Sequence, residues 1–296
     1  MTLLDMQRAF SRMLTDQTFQ RGFMLGEPAA LAAYDLSDAE LSSLRGIDRD
    51  RLALQARLLA DSRLELALGA LPLTSLLLHH DLHDHVERFC GEFPPVPEAN
   101  GAMIVEAERL CAFAVRLLRE GTLTPGWAED VVEYERIVLD LSTSPAAWEG
   151  AATVALLNEA AGPLSAGDLP GLVPVTSTNV RLATFSHDLA AIVPELEDGR
   201  VPERVERLAR PQYLLFVKRP AAVLVRRLRV NAATAALIEA GDGVRTTEEV
   251  LADVARAVGA PALAPDARSA ALATLLSLRE LGAVGFRAPE GDPKEQ

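Results

Sequence analysis

A chain of 296 residues, 49% apolar but only 5% aromatic, can bury one large or two modest cores, and its leucine- and alanine-rich balance favours packed helices over β-sandwiches. Forty-two acidic against 29 basic residues leave a net charge of −13, which repels nucleic acid except where positive charge is concentrated. Cys90 and Cys111 make no disulfide framework, the first residues lack the basic start and apolar core of a secretory signal, and no run reaches the roughly 18 apolar residues that cross a bilayer, so a reducing cytoplasm is expected.

Leu4, Ala9, Phe10 and Met13 share a helical stripe that Phe19, Phe23 and Leu25 continue. After a break at Gly26-Glu-Pro28, Ser37 and Glu40 stand three apart ahead of Leu41 and Leu44, the spacing of a capping box. Residues 1–47 thus read as a small helical segment used for packing. From Asp48 to Leu71 a long helix is expected, with Leu54, Leu58, Leu66 and Leu68 inward and Arg57, Asp61, Arg63 and Glu65 outward; Pro72 interrupts it.

His79-His-Asp-Leu-His-Asp-His85 holds four of the five histidines. On a helix, His79 and His83 lie one turn apart, as do Asp81 and His85, and an i, i+4 pair on one face can chelate a divalent metal. The cysteines are not at ligand spacing and His187 is the only other histidine, so the stretch is read as a solvated or partner-touching face and no metal ligand is assigned. Phe93-Pro-Pro-Val-Pro97 is a rigid loop, because its prolines remove donors and fix φ. Ile104 to Leu118 follows as a helix with Cys111 a small core residue. Asp130 to Val138, with Val131, Tyr134 and Val138 on one face, closes a helical domain over residues 48–160. The Pro- and Gly-punctuated stretch Ser142 to Val175, with one short helix around Ala151 to Ala160, marks the boundary.

Val180 to Phe185 alternates as a strand and supplies the first strand of a C-terminal sheet. Tyr213–Val217 and Ala222–Val225, rich in β-branched and aromatic residues, read as a hairpin about Arg219-Pro220. Asn231 caps a helix through Ile238, ended at Gly241-Asp-Gly243, where glycine accepts left-handed backbone. Thr246 or Thr247, with Glu249 or Val250 behind it, opens a second helix to about Val258. Asp266 to Leu281, carrying Leu272, Leu275, Leu276 and Leu278, is a third, stopped by Gly282, and Val284–Phe286 returns as a strand. The expected fold is mainly α with a small α+β domain: an N-terminal helical bundle, then a winged-helix-like module with a three-stranded sheet over residues 176–288. Residues 289–296 read as a disordered tail.

Tyr213-Leu-Leu-Phe-Val-Lys-Arg219, Leu228-Arg-Val-Asn231 and Asp242-Gly-Val-Arg-Thr-Thr-Glu-Glu-Val250 resemble the PqqD-like peptide-recognition domains of ribosomally made, post-translationally modified peptide pathways. The resemblance implies a module that adds a precursor's leader peptide as an extra strand beside its own sheet and packs it on a neighbouring helix. Leu14-Thr-Asp-Gln-Thr-Phe-Gln-Arg-Gly-Phe23 followed by Tyr34-Asp-Leu-Ser-Asp-Ala-Glu-Leu41 is similar to the small helical subunit of protocatechuate-type ring-opening dioxygenases, with no metal ligand carried over. Arg57 to Pro72, the Phe89 to Pro97 loop and the Tyr134-Glu-Arg136 helix resemble partner proteins of multinuclear non-haem iron oxidases in methanobactin- and thiaglutamate-type pathways. That likeness implies an accessory subunit, in heterodimer with an oxidase chain that holds the iron.

No Gly-rich phosphate loop, Gly-x-Ser-x-Gly or Cys-x-x-Cys occurs, and Ser186-His187-Asp188 are chain neighbours, which triad members rarely are. No catalytic residue and no cofactor of its own are therefore expected. Between Arg210 and Val230 there are six basic residues and no acidic one, a run suited to an anionic partner such as an acidic leader peptide. Peptide contacts are placed at Tyr213, Phe216, Arg226, Arg227, Leu228, Arg229, Leu275 and Arg279. The expected function is leader capture and presentation to an iron oxidase, with no nucleic acid and no membrane among the partners. The alternatives are a winged-helix DNA-binding regulator, for which the helix Asp266–Leu281 offers only Arg268 and Arg279, and a stand-alone metal binder.

Overall fold

A computed structural model of the chain describes residues 3–26, 31–95, 102–220, 222, 224–257 and 260–289. Pro28, Val96–Pro97, Val223, Val258 and the tail from Gly291 lie outside the described residues. The chain falls into two compact units: Met1–Arg136 with Val193–Pro202, and Ile137–Ile192 with Glu203–Gln296. Helices dominate, and the strands belong to the second unit.

In the first unit, α1 (Leu3–Thr15), α2 (Gln17–Met24) and α3 (Asp38–Arg45) gather Ala9, Met13, Phe19, Phe23, Leu31, Leu44 and Leu52 into one apolar cluster. Leu4, Phe10 and Leu25 were expected on the same stripe and are instead exposed. The capping box is formed: Ser37 Oγ accepts the Glu40 N–H at 3.3 Å, and Glu40 Oε2 accepts the Ser37 N–H at 2.8 Å.

The long helix α4 (Arg49–Gly69) buries Leu52, Ala56, Ala60, Leu64, Ala67 and Leu68. Of the leucines expected inward, only Leu68 is; Leu54, Leu58 and Leu66 are half-exposed. Apolar residues surround this helix, and alanines let it approach its neighbours closely, so leucine spacing alone names the wrong face. Arg63 also turns in: its guanidinium bonds the Glu106 carboxylate (2.8 and 2.9 Å) and the Phe93 carbonyl (2.8 Å), holding the start of the proline loop.

A short turn leads to α5 (Pro72–Asp84), followed by α6 (Val86–Glu92), α7 (Ala102–Arg119) and α8 (Ala128–Thr143). Pro72 takes the first turn of α5, where a missing N–H costs nothing. Cys111, Leu110, Phe113 and Val131 are all buried.

The second unit opens with the end of α8 and with α9 (Pro145–Ala161), a full helix where only a short one around Ala151–Ala160 was expected. Of the Pro and Gly punctuation, Pro145 starts the helix, Gly150 lies inside it and the rest follows it. Gly150 allows close approach to the turn that follows: a Cβ there would lie 2.8 Å from the Asn179 backbone nitrogen.

β1 (Val173–Thr176) pairs antiparallel with β5 (Val284–Arg287), while β2 (Val180–His187), β3 (Arg207–Val217) and β4 (Arg226–Val230) form a separate antiparallel sheet in the order β2-β3-β4. The expected three-stranded sheet is therefore present. The hairpin's return strand begins at Arg226, after the expected Ala222–Val225, and the closing strand pairs outside that sheet.

After α10 (Leu189–Glu197), which Asp188 opens by accepting the Ala190 N–H, come α11 (Ala232–Ala240), α12 (Thr247–Ala257) and α13 (Pro265–Glu280). Asn231 caps α11 through the Thr234 N–H (2.8 Å), and Thr246, in a capping box with Glu249, is the residue that opens α12. Gly241 keeps an ordinary φ of −75°; the left-handed residue of that turn is Gly243, at φ 76°. Val180, Leu215, Val217, Leu237, Val250, Leu272, Leu275, Leu278 and Phe286 share one core, with Leu182, Leu228 and Val230 packed on it.

Candidate functional site

Of the two edge strands of the sheet β2-β3-β4, β4 carries Arg226, Arg227 and Arg229, and its outer edge is the candidate to receive another backbone. β4 pairs with β3 on one side, and among the described residues no strand lies on the other. Its register is Val217↔Arg226, Phe216↔Arg227, Leu215↔Leu228, Leu214↔Arg229 and Tyr213↔Val230. Since successive strand side chains alternate between faces, Leu228 and Val230 join Leu215 over the helical core, while Arg227 and Arg229 fall on the other face with Phe216 and Leu214. Arg226 belongs to the core-side row at its outer end.

The three exposed arginines do not form one patch, because the pleat divides them. Their cross-strand neighbours are Val217, Phe216 and Leu214, none of them acidic. Two open hollows lie along this region. One, of about 720 Å³, is lined by Arg210, Tyr213, Arg229 and Asn231 among others; the other, of about 730 Å³, by Arg219, Leu224, Arg226 and Arg227. Leu224 is 79% exposed.

Other residues expected at the interface are committed inside the unit. Phe216 is wholly buried, its ring 6.3 Å from that of Phe185, and Leu275 is wholly buried in the helical core. Neither offers surface to a peptide: Phe216 is buried on the face opposite the helical core, beside Phe185, and the helical stripe turns Leu275 into that core. Arg279 donates to Asn158 Oδ1 (3.2 Å), to the Asn158 carbonyl (2.8 Å) and to the Gly162 carbonyl, tying α13 to the last turn of α9. A guanidinium that satisfies helix-end carbonyls is spent on structure.

Lys218, part of the basic run, is 1% exposed. Its ammonium donates to the Ala222 carbonyl (2.7 Å) and sits 3.8 Å from the centroid of the Trp148 ring, and burial pushes its pKa down. Asn179, also buried, donates through Nδ2 to the carbonyls of Lys218 and Gly282 at 2.9 Å each, so one amide ties the end of β3 to the turn that leads into β5.

A second constellation lies in the first unit. α4 and α5 form a helical hairpin that brings Glu65 against His79 and His83. Glu65 Oε1 is 3.0 Å from His79 Nε2 and 2.7 Å from His83 Nε2, and the two rings are 4.8 Å apart. These hydrogen bonds, that to His83 first, hold the Glu65 carboxyl below its usual range. Glu65 stands 14 residues before His79, so periodicity within the histidine stretch does not reveal it; recognising the turn before Pro72 as a hairpin would have.

Comparison with models of known protein families and with curated proteins finds no match to this chain. No helix among the described residues is long and apolar enough to cross a membrane.

Proposed function

We propose that the chain is a non-catalytic, cytoplasmic partner subunit that captures the leader of a ribosomally made precursor peptide and presents it to an iron-dependent peptide-modifying oxidase. The observation that carries this reading is the outer edge of β4, beside which no strand lies among the described residues, flanked by exposed Arg226 and Arg229 and by the two hollows. Strand addition supplies backbone hydrogen bonds as the main source of affinity, and alternate side chains of the ligand enter the flanking hollows. The arginines steer an acidic peptide and set its register more than they tighten it. Oxidase docking falls to the first unit, where half-exposed Leu54, Leu58, Leu59 and Leu66 of α4 and Leu76 of α5 offer apolar surface.

The DNA-binding alternative has less support, since Arg268 pairs with Glu248 at 2.5 Å and Arg279 is engaged with Asn158.

Selection of a displayed random-peptide library on the purified chain, followed by hydrogen exchange of the complex, tests the reading. Recovered peptides should be acidic and extended, should protect the amides of Arg226–Val230, and should bind more slowly to an Arg226→Glu/Arg229→Glu variant. Binders that protect another surface, or a duplex DNA shifted at moderate salt, would overturn it.

A further inference from the structure

We propose that Glu65, His79 and His83 form a binding site for a divalent transition-metal ion of the zinc class, a site distinct from the β4 edge and independent of the peptide-capture reading. Two imidazole nitrogens and one carboxylate oxygen are a ligand set suited to zinc and its first-row neighbours. Calcium and magnesium prefer cages of oxygen ligands, and the set contains no thiolate for a soft ion. The His79/His83 spacing puts both rings on one face of α5, and the hairpin with α4 presents Glu65 to that face. The three ligand atoms lie within 4.8 Å of one another. Bonds of about 2.0–2.2 Å in a tetrahedral shell would hold them about 3.3–3.5 Å apart. The Glu65 oxygen, now 2.7 and 3.0 Å from the two Nε2 atoms, would draw back slightly while the two rings turn toward each other, and side-chain rotation allows both because Glu65 is 52%, His79 36% and His83 28% exposed.

Both Nε2 atoms face the same carboxylate oxygen, which fits each ring carrying its proton there. A metal takes the Nε2 lone pair, so the ring proton must move to Nδ1. For His83 a partner stands on that side: Asp61 Oδ1 is 3.7 Å from Nδ1, an ion-pair distance that a small ring rotation would shorten to a hydrogen bond. Carboxylate support of a ligating histidine through its second nitrogen fixes the tautomer and raises ligand basicity. Asp61 is itself held by Arg57 Nε at 3.3 Å. Three protein ligands at the surface leave the fourth position to water.

The experiment is a titration of tag-free chain with Co²⁺, read by visible absorption, and with Zn²⁺ in competition. One equivalent should bind and give the intense bands of tetrahedral cobalt, which Zn²⁺ then displaces. His79→Ala and His83→Ala should each abolish the bands, and Asp61→Asn should weaken binding about 10-fold, with unchanged helical circular dichroism. Histidine-ring NMR of the unmodified chain gives a reading that no folding defect can confuse: Zn²⁺ should shift the His79 and His83 rings and leave His187 in place. Absence of a saturable site, equal affinity in the His79→Ala/His83→Ala variant, or Zn²⁺ shifts confined to other residues would overturn the proposal.

Discussion

The Glu135 carboxylate accepts the backbone N–H of Thr74 at 2.6 Å and that of its neighbour Leu73 at 2.8 Å. These are first-turn donors of α5, whose own N-cap residue, Leu71, makes no side-chain hydrogen bond. A carboxylate 61 residues away in sequence thus caps the helix that carries the histidines. Glu135→Ala should cost about 2–4 kcal/mol, since two buried donors are left without acceptors; urea unfolding measures it. Burial raises the Glu135 pKa above 4.5, against the pull of its hydrogen bonds. The folded state then keeps its proton to higher pH than the unfolded state. The contribution of this group to stability therefore falls as pH rises from 4.5 through the raised value. Glu135→Gln should remove that slope.

Lys218 and Trp148 give the opposite sign at the alkaline end. Burial depresses the Lys218 pKa below 10.5, so the unfolded chain binds the proton more tightly. Stability from this group rises as pH climbs from the depressed value to 10.5 and is flat beyond it. Lys218→Met should abolish that rise. Trp148→Ala should cost about 0.5–2 kcal/mol from the lost cation–π contact alone, read as a shift in denaturation midpoint.

Gly150 sits mid-helix, where alanine ordinarily gains about 1 kcal/mol. Gly150→Ala should instead destabilise, because the added methyl meets the Asn179 backbone and the Ser177 and Thr178 hydroxyls. A raised melting temperature in this variant would contradict the packing described for α9.

The two thiols should be inert in the native chain. Cys111 is fully buried with its pKa pushed up to about 12, and Cys90 is buried with its pKa also raised. Alkylation at neutral pH should label neither until denaturant is added; fast native labelling would count against the burial.

Local chemistry was the legible part of the sequence. The Ser37/Glu40 box, the Asn231 cap, the Gly282 stop and the strand at Val180–Phe185 each act within a few residues, and each stands where the pattern put it. The failures share a cause, which is that the deciding partner is remote. Lys218 reads as an exposed charge until Trp148, 70 residues earlier, is placed above it. Arg279 reads as a free cation until the end of α9 is placed beside it. On α4 the leucine-only reading missed a stripe in which Ala56, Ala60 and Ala67 are buried beside Leu52, Leu64 and Leu68. At the candidate edge the hairpin and its arginines were legible, but the return strand was expected at Ala222–Val225 and stands at Arg226–Val230, so the arginines fall within the strand and alternation sends two of them one way and one the other.

That division sets a grammar for whatever strand settles on β4. Side chains one apart on an incoming backbone point to opposite sides, so acids at every second position could meet Arg227 and Arg229 together, while an acid one step out of that phase faces the side of Arg226. Net charge would then be a poor guide to a good ligand, and parity of spacing a better one.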